Sequence, residues 1–315
     1  MSNSFQQLSS LTLVAADTAD YNAIKKYDVT EATTNPTIIL QAAILPQYQH
    51  HLEQSAEYGI KSASDLELAV ENAMDMLVVS FGERILQVVS KKVHVQVDPR
   101  LAFDTQRSVS KALKLLKMFE DKGIDRRKVV IKLPATWEGI RAAGILEKTH
   151  GVSCNMTTMF SLVQAAACAE AGVSYLAPFV GRINMWHEEN GSEFDRAGET
   201  VLKNIQNYMR KFGYKTKVMG AYFVNSEQIK AVSGCDFVTA PLSLIDALIK
   251  DKEVVDDKMD SKLPVKKLDI NEDTFRFMLN EDQMATSLLS EIIRNFSADY
   301  GKLKNIVRKA ILRKK

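Results

Sequence analysis

Short apolar runs alternate with longer stretches of helical spacing along the chain. Eight runs read as strands: LTLVAAD (11–17), VTEATTNP (29–36), VHVQVD (93–98), VVIKLP (129–134), VSCNMT (152–157), VSYLAPFV (173–180), TKVMGA (216–221) and CDFVTA (235–240). Between them, residues 65–89 place Leu66, Ala69, Val70, Ala73, Met76 and Leu77 on one stripe. Residues 105–123 carry Val109, Leu113, Leu116 and Phe119 at the same spacing, with Gly123 suited to a C-terminal cap. WEGIRAAGILEK (137–148) follows the fourth strand, and Thr136 suits its N-cap. Alternation of strand and helix predicts βαβ units and a parallel sheet. Eight strands favour closure into a (β/α)8 TIM barrel over an open doubly wound sheet. No G-x-G-x-x-G follows an early strand, which counts against a dinucleotide-binding fold. No repeat or low-complexity linker divides the chain. Residues 1–315 are therefore expected to form one α/β barrel domain, with extra helices near 44–90 and after about 270.

Composition narrows the class without naming a function. With 315 residues and 46% hydrophobic content the chain can bury a large core. Its formal charge of +2 gives no general attraction to nucleic acid. Cys154, Cys168 and Cys235 are widely spaced, and no C-x-x-C occurs, so a reducing compartment is expected. MSNSFQQLSS has neither a basic nor an apolar leader region, and no apolar run is long enough to span a bilayer. A cytoplasmic protein without nucleic-acid or membrane partners is the expectation.

Candidate chemistry enters with Lys132. Side chains alternate along a strand, so Val129, Ile131 and Leu133 share one face of VVIKLP while Val130 and Lys132 share the other. A run this apolar is covered on both sides, and a buried unpaired ammonium is costly. A snorkelling lysine is one reading and a reactive amine the other. The barrel favours the second, because barrel active sites form at C-terminal strand ends. Asp17, Asn35, Gln96, Asn155, Thr157 and Arg182 also fall at or just past such ends. Desolvation lowers a lysine's pKa and frees its lone pair to attack a ketone. Pro134, which lacks an N–H, is expected to end the strand.

Several segments carry a family resemblance: VAADTAD (14–20), ATTNPTIIL (32–40), VDPRLAFDT (97–105), VVIKLPATWEGIRAA (129–143), CNMTTMFSLVQAAACAEAGV (154–173), APFVGRI (177–183), GYKTKVMGA (213–221) and NEDQMATSLLSEIIRNFSADYGKL (280–303). Together they resemble transaldolase. The resemblance implies a (β/α)8 barrel without metal or cofactor, a Schiff-base lysine on strand four, sugar-phosphate substrates and a possible homodimer. It assigns Lys132 as nucleophile and Asp17 as the base at the C4 hydroxyl. Asn35 and Asn155 become the amides that hold the three-carbon unit, and Thr157 orients a water. Arg182 binds phosphate, and Phe179 faces the Schiff base.

The chain departs from the family at four positions. Gln96 stands where a proton-shuttling glutamate is usual, and Ala177 replaces a serine. MGAYFVN (219–225) puts Tyr222 and Val224 where the family has serine and arginine. Gln96 and Ala177 are also found in the fructose-6-phosphate aldolase branch. The alternatives are accordingly an aldolase of that kind, a transferase for unphosphorylated substrates, or a binding protein with little turnover. His94 lies one layer below Gln96, roughly 6–7 Å along the strand. It is either a satisfied core histidine or a group that replaces part of the missing glutamate through water.

Other features read plainly. His50 and His51 are expected to diverge on a helix without forming a metal site. Met74, Met76, Met156 and Met159 read as core filler. The last fifteen residues hold seven Lys/Arg and no acid, and read as the solvated end of a terminal helix or as a weakly anion-seeking tail.

Overall fold

The computed structural model describes residues 2–191, 196–259 and 265–314. Eight strands run parallel: β1 (Leu13–Asp17), β2 (Glu31–Thr33), β3 (Lys92–Gln96), β4 (Val129–Pro134), β5 (Cys154–Met159), β6 (Tyr175–Pro178), β7 (Lys217–Gly220) and β8 (Phe237–Ala240). They neighbour one another in chain order, and β8 pairs back onto β1, which closes the (β/α)8 barrel. Pro134 ends β4 as expected. Thr136 Oγ1 accepts from Gly139 N at 3.0 Å, and Gly123 leaves the preceding helix at φ 75°.

Boundaries shift where side chains find better partners than the sheet. The run 29–36 contributes only Glu31–Thr33, because Asn35 leaves to cap the helix Pro36–Ala43. Its Oδ1 accepts from Ile38 N at 2.9 Å, and Pro36 takes the first helical position, where no N–H is needed. The stripe at 65–89 forms the helix Leu66–Ile85, capped by Asp65.

Alternation within β4 sets up the site. Val129, Ile131 and Leu133 pack outward with the helices. Burying each contributes roughly 1.5–3 kcal/mol. A one-residue slip would forfeit that and turn Lys132 into the helix layer, so the register is fixed. Ala15, Val130, Tyr175, Met219 and Phe237 fill the barrel interior. Lys132 follows Val130 on this inward face, towards the C-terminal mouth.

The helix Gln283–Leu312 crosses the mouth, burying Leu288, Leu289, Ile292, Ile293 and Phe296. Its basic end does not simply face solvent. Lys304 reaches Glu71 at 2.7 Å, Arg308 reaches Glu67 at 2.6 Å, and Lys314 reaches Glu57 at 2.6 Å. Exposed pairs of this kind are worth roughly 0.2–1 kcal/mol each, so they orient the helix more than they hold it.

His50 and His51 do not diverge: their rings lie 4.1 Å apart. His51 shares a hydrogen bond with the Tyr21 hydroxyl at 3.1 Å, and burial lowers its pKa to about 4. Cys154, Cys168 and Cys235 are buried free thiols. Met74, Met156 and Met159 lie in the core, with Met76 packed against it. Among the described residues, no helix is long and apolar enough to cross a membrane.

Candidate active site

Strand register brings the polar ends together. Asp17 is paired with Thr33 across β1 and β2. Gln96, Lys132 and Asn155 lie side by side across β3, β4 and β5. These strands floor a pocket of about 530 Å³ whose lining includes Asp17, Asn35, Lys132, Asn155, Ala177, Phe179 and Tyr222.

Lys132 is 5% exposed, which excludes the snorkelling reading. Its Nζ donates to the Thr34 carbonyl at 3.0 Å and has no hydrogen bond to a carboxylate. Burial lowers its pKa from the usual lysine value, and the charge of Asp17 offsets this only in part. Asp17 behaves as the mirror image. Burial raises its pKa, while Lys132 and a 2.6 Å hydrogen bond from Thr33 Oγ1 pull it down. Both groups are thus moved towards neutral pH, where proton exchange with substrate is easiest. The Thr33 hydroxyl also meets Thr239 Oγ1 at 2.6 Å, which ties β2 to β8 beneath Asp17.

The two amides offer opposite groups to the pocket. Asn35 spends Oδ1 on its helix cap, so Nδ2 is left to donate. Asn155 spends Nδ2 on His94 Nδ1 at 3.0 Å and on Met219 Sδ at 3.7 Å. Its buried Oδ1 has no protein partner and is left to accept. A hydroxyl between these side chains can both receive and give a hydrogen bond.

Gln96 lies beside Lys132 and Thr157 beside Pro134, two residues further along β4, and neither is among the residues lining the pocket. Gln96 Oε1, Gln96 Nε2 and Thr157 Oγ1 are buried and lack protein partners. Such groups ordinarily bind water or substrate, because leaving them unmet costs about 1–3 kcal/mol each. Next to Thr157, Thr158 takes φ 54° where the register of β5 against β6 shifts. This kink lies on the strand end that carries Thr157.

Three of the departures and their neighbours cluster at one end of the pocket, around Ala177, Phe179 and Tyr222. Tyr222, at φ 55°, stacks on Phe179 with ring centroids 5.6 Å apart. Arg182 lies behind this stack, in the first turn of the helix Val180–Glu189, with its guanidinium 5.9 Å from the centre of the Tyr222 ring. It donates to Glu291 Oε1 at 2.6 Å. Val224 is 53% exposed and supplies no charge. Arg182 is not among the residues lining the pocket, and its buried Nε lacks a partner among the described residues while the guanidinium is held by Glu291.

The sequence did not single out Thr33 or Thr239, nor show that the expected C-terminal helix lies over the mouth and adds Asn295, Phe296, Asp299 and Lys302 to the pocket. Thr33 and Thr239 follow from strand alternation once the inward face is known. The His94 relay proposed for the missing glutamate is not formed. Both ring nitrogens are bonded to protein, Nε2 to Glu31 Oε2 at 2.8 Å and Nδ1 to Asn155. Burial also lowers the His94 pKa, away from the neutral titration such a relay needs.

A closed barrel with a desolvated strand-four lysine, an inward carboxyl and amides at neighbouring strand ends has the features of a Schiff-base aldol enzyme. The profile of the Transaldolase/Fructose-6-phosphate aldolase family matches residues 14–307, and the chain belongs to that family. It is 45% identical to a probable transaldolase of Drosophila melanogaster, over 96% of this chain and 94% of that one. It is 44% identical to a transaldolase of Saccharomyces cerevisiae, over 98% and 96%. Identity to a transaldolase of Sus scrofa is 43%, over 98% and 94%.

Proposed function

We propose that this chain is a transaldolase, moving a dihydroxyacetone unit from a ketose phosphate to an aldose phosphate through a Schiff base on Lys132. The observation that carries the reading is the buried amine of Lys132 at the pocket floor, charge-coupled to Asp17. The neutral amine attacks the ketose C2, and loss of water leaves an iminium. Asp17 takes the C4 hydroxyl proton while the C3–C4 bond breaks. Its electrons pass into the iminium, an aldose leaves, and an enamine remains on Lys132. The enamine carbon then attacks the acceptor aldehyde, whose oxygen recovers the proton from Asp17. Hydrolysis of the new imine frees the product and the amine.

Asn35 and Asn155 hold the hydroxyls of the three-carbon unit by donating and accepting, respectively. This keeps the enamine in place until an acceptor arrives. Gln96 and Thr157 have the free hydrogen-bonding capacity to orient water for imine exchange. Gln96 cannot carry a proton, so this step relies on the water itself. Arg182 receives phosphate in competition with Glu291. No metal or organic cofactor takes part in this scheme. The three buried free thiols agree with a cytoplasmic location.

Relatives named transaldolase over nearly their whole length do not favour the alternatives of simple cleavage, phosphate-free transfer or a silent binding protein. Borohydride reduction in the presence of fructose 6-phosphate tests the chemistry. A three-carbon adduct on Lys132 is expected, and erythrose 4-phosphate added before borohydride should prevent it by draining the enamine into a new ketose. Absence of any adduct on Lys132 would overturn the reading.

A further inference from the structure

Beneath the pocket floor lies a polar chain that the proposed reaction does not use. Glu31 on β2 and His94 on β3 are 2% and 0% exposed. His94 Nε2 meets Glu31 Oε2 at 2.8 Å, and the nearby charge of Glu31, after burial, helps to raise the pKa of Tyr175 on β6. The Tyr175 ring stands edge-on to the imidazole at 5.0 Å. On the other side, His94 Nδ1 meets Asn155 Nδ2 at 3.0 Å. No hydrophobic requirement explains an imidazole, a carboxyl and a phenol in one barrel layer. Each costs more to bury than an aliphatic side chain unless its partners are met.

We propose that His94, oriented by Glu31, is a positioning residue that decides which end of the Asn155 amide faces the substrate. This rests on the reading that Asn155 holds a hydroxyl of the three-carbon unit. The carboxylate of Glu31 can only accept, so the proton of a neutral imidazole resides on Nε2. Nδ1 is then an acceptor, and it can be satisfied only by the NH2 end of Asn155. Met219 Sδ, a weak acceptor, lies at 3.7 Å from the same amide nitrogen and favours the same orientation without being strong enough to set it. Oδ1 is thereby committed to the pocket, opposite in character to the donor that Asn35 presents.

The groups facing His94 agree with a neutral ring. Glu31 favours the charged form, while burial and the cations Lys132 and Lys92 oppose it, and the net effect lowers the pKa. The device is therefore a fixed tautomer and not a proton shuttle. Reversing it would turn an acceptor into a donor at the substrate hydroxyl and leave like groups opposed.

Two measurements on the full chain test this. In 15N-histidine-labelled protein, with the His94 signals assigned by their loss in His94→Asn, His94 should show a proton on Nε2 at every pH from about 5.5 to 9. A proton on Nδ1, or a titration within that range, would overturn the proposal. This readout needs no turnover, so it stands even if the transaldolase reading fails. For activity, His94→Asn keeps an acceptor oxygen near the Nδ1 position and His94→Leu does not. With circular dichroism confirming both folds, His94→Leu should lose about 10–100-fold in kcat while His94→Asn stays within about 5-fold of wild type. Equal loss in the two variants would reduce His94 to a structural residue and refute the positioning role.

Discussion

Asp17 is the carboxyl that offsets the burial of Lys132, and Lys132 is the cation that offsets the burial of Asp17. The sign of a prediction follows. Asp17 raises the Lys132 pKa against desolvation, so removing its charge lets that pKa fall further. In Asp17→Asn, the rising limb of imine formation with dihydroxyacetone should move to lower pH than in wild type. Cleavage of the ketose should meanwhile fall by about 10²–10⁴, the usual cost of losing a general base. Borohydride quenching across a pH series measures the first effect and steady-state assay the second. A limb that stays put or moves to higher pH would show that the two groups are not coupled.

Gln96 sits beside Lys132 in register, with both amide atoms lacking protein partners. A carboxyl there would add the proton carrier that an amide lacks. Gln96→Glu is expected to raise kcat by about 10-fold or more, at the lower end of what general acid–base groups contribute. The gain should be largest where imine formation or hydrolysis limits turnover. Unchanged or lower turnover would mean that water at this site already exchanges protons fast enough.

Arg182 is held by Glu291 on the mouth helix, 109 residues later in the chain. A phosphate bound at Arg182, as proposed, would compete with that carboxylate and suffer its repulsion. Glu291→Gln removes both effects. The KM for fructose 6-phosphate should fall by about 3–10-fold, which corresponds to roughly 0.7–1.4 kcal/mol, while unphosphorylated dihydroxyacetone is unaffected. Equal changes for both substrates would show that Arg182 does not meet the phosphate.

These three positions also mark what the sequence could tell. Lys132 was legible because period-two alternation in an apolar run leaves one charged residue facing inward at a strand end. Asp17, Asn155 and Thr157 stood out only as polar residues at or just past other strand ends, and their roles came from the family resemblance. Asn35 was placed correctly but its cap was not foreseen, and the cap decides which half of its amide is free. His94 was placed on the inward face from the sequence, but Glu31 was not singled out, because their pairing depends on the register of β2 against β3. A helical segment after about 270 was expected, whereas its docking over the barrel mouth depends on distant parts of the chain. Arg182–Glu291 and the pairs made by Lys304, Arg308 and Lys314 are long-range in the same way.

The last prediction concerns how the proposed phosphate end is held. Gly181 N donates to the Tyr222 carbonyl at 2.9 Å, and Val180 N donates to Ala221 O at 2.9 Å. These bonds clamp Tyr222 in the left-handed region at φ 55°, a conformation that costs a non-glycine residue about 1–2 kcal/mol. A Cβ on Gly181 would lie 2.4 Å from the Tyr222 carbonyl oxygen and 2.7 Å from Val224 Cγ2. Backbone has to move, so Gly181→Ala should destabilise the protein by about 1–3 kcal/mol and lower Tm by roughly 2–6 °C. The Tyr222 ring would shift on Phe179, and Arg182, the next residue in the same turn, would shift with it. A raised KM for phosphorylated substrates is therefore expected alongside the lower Tm. Tyr222→Gly in the same chain frees the carbonyl to swing away and should recover part of the lost stability. Calorimetry of the single and double variants separates these effects, and a Gly181→Ala protein as stable as wild type would show that the clamp is absent.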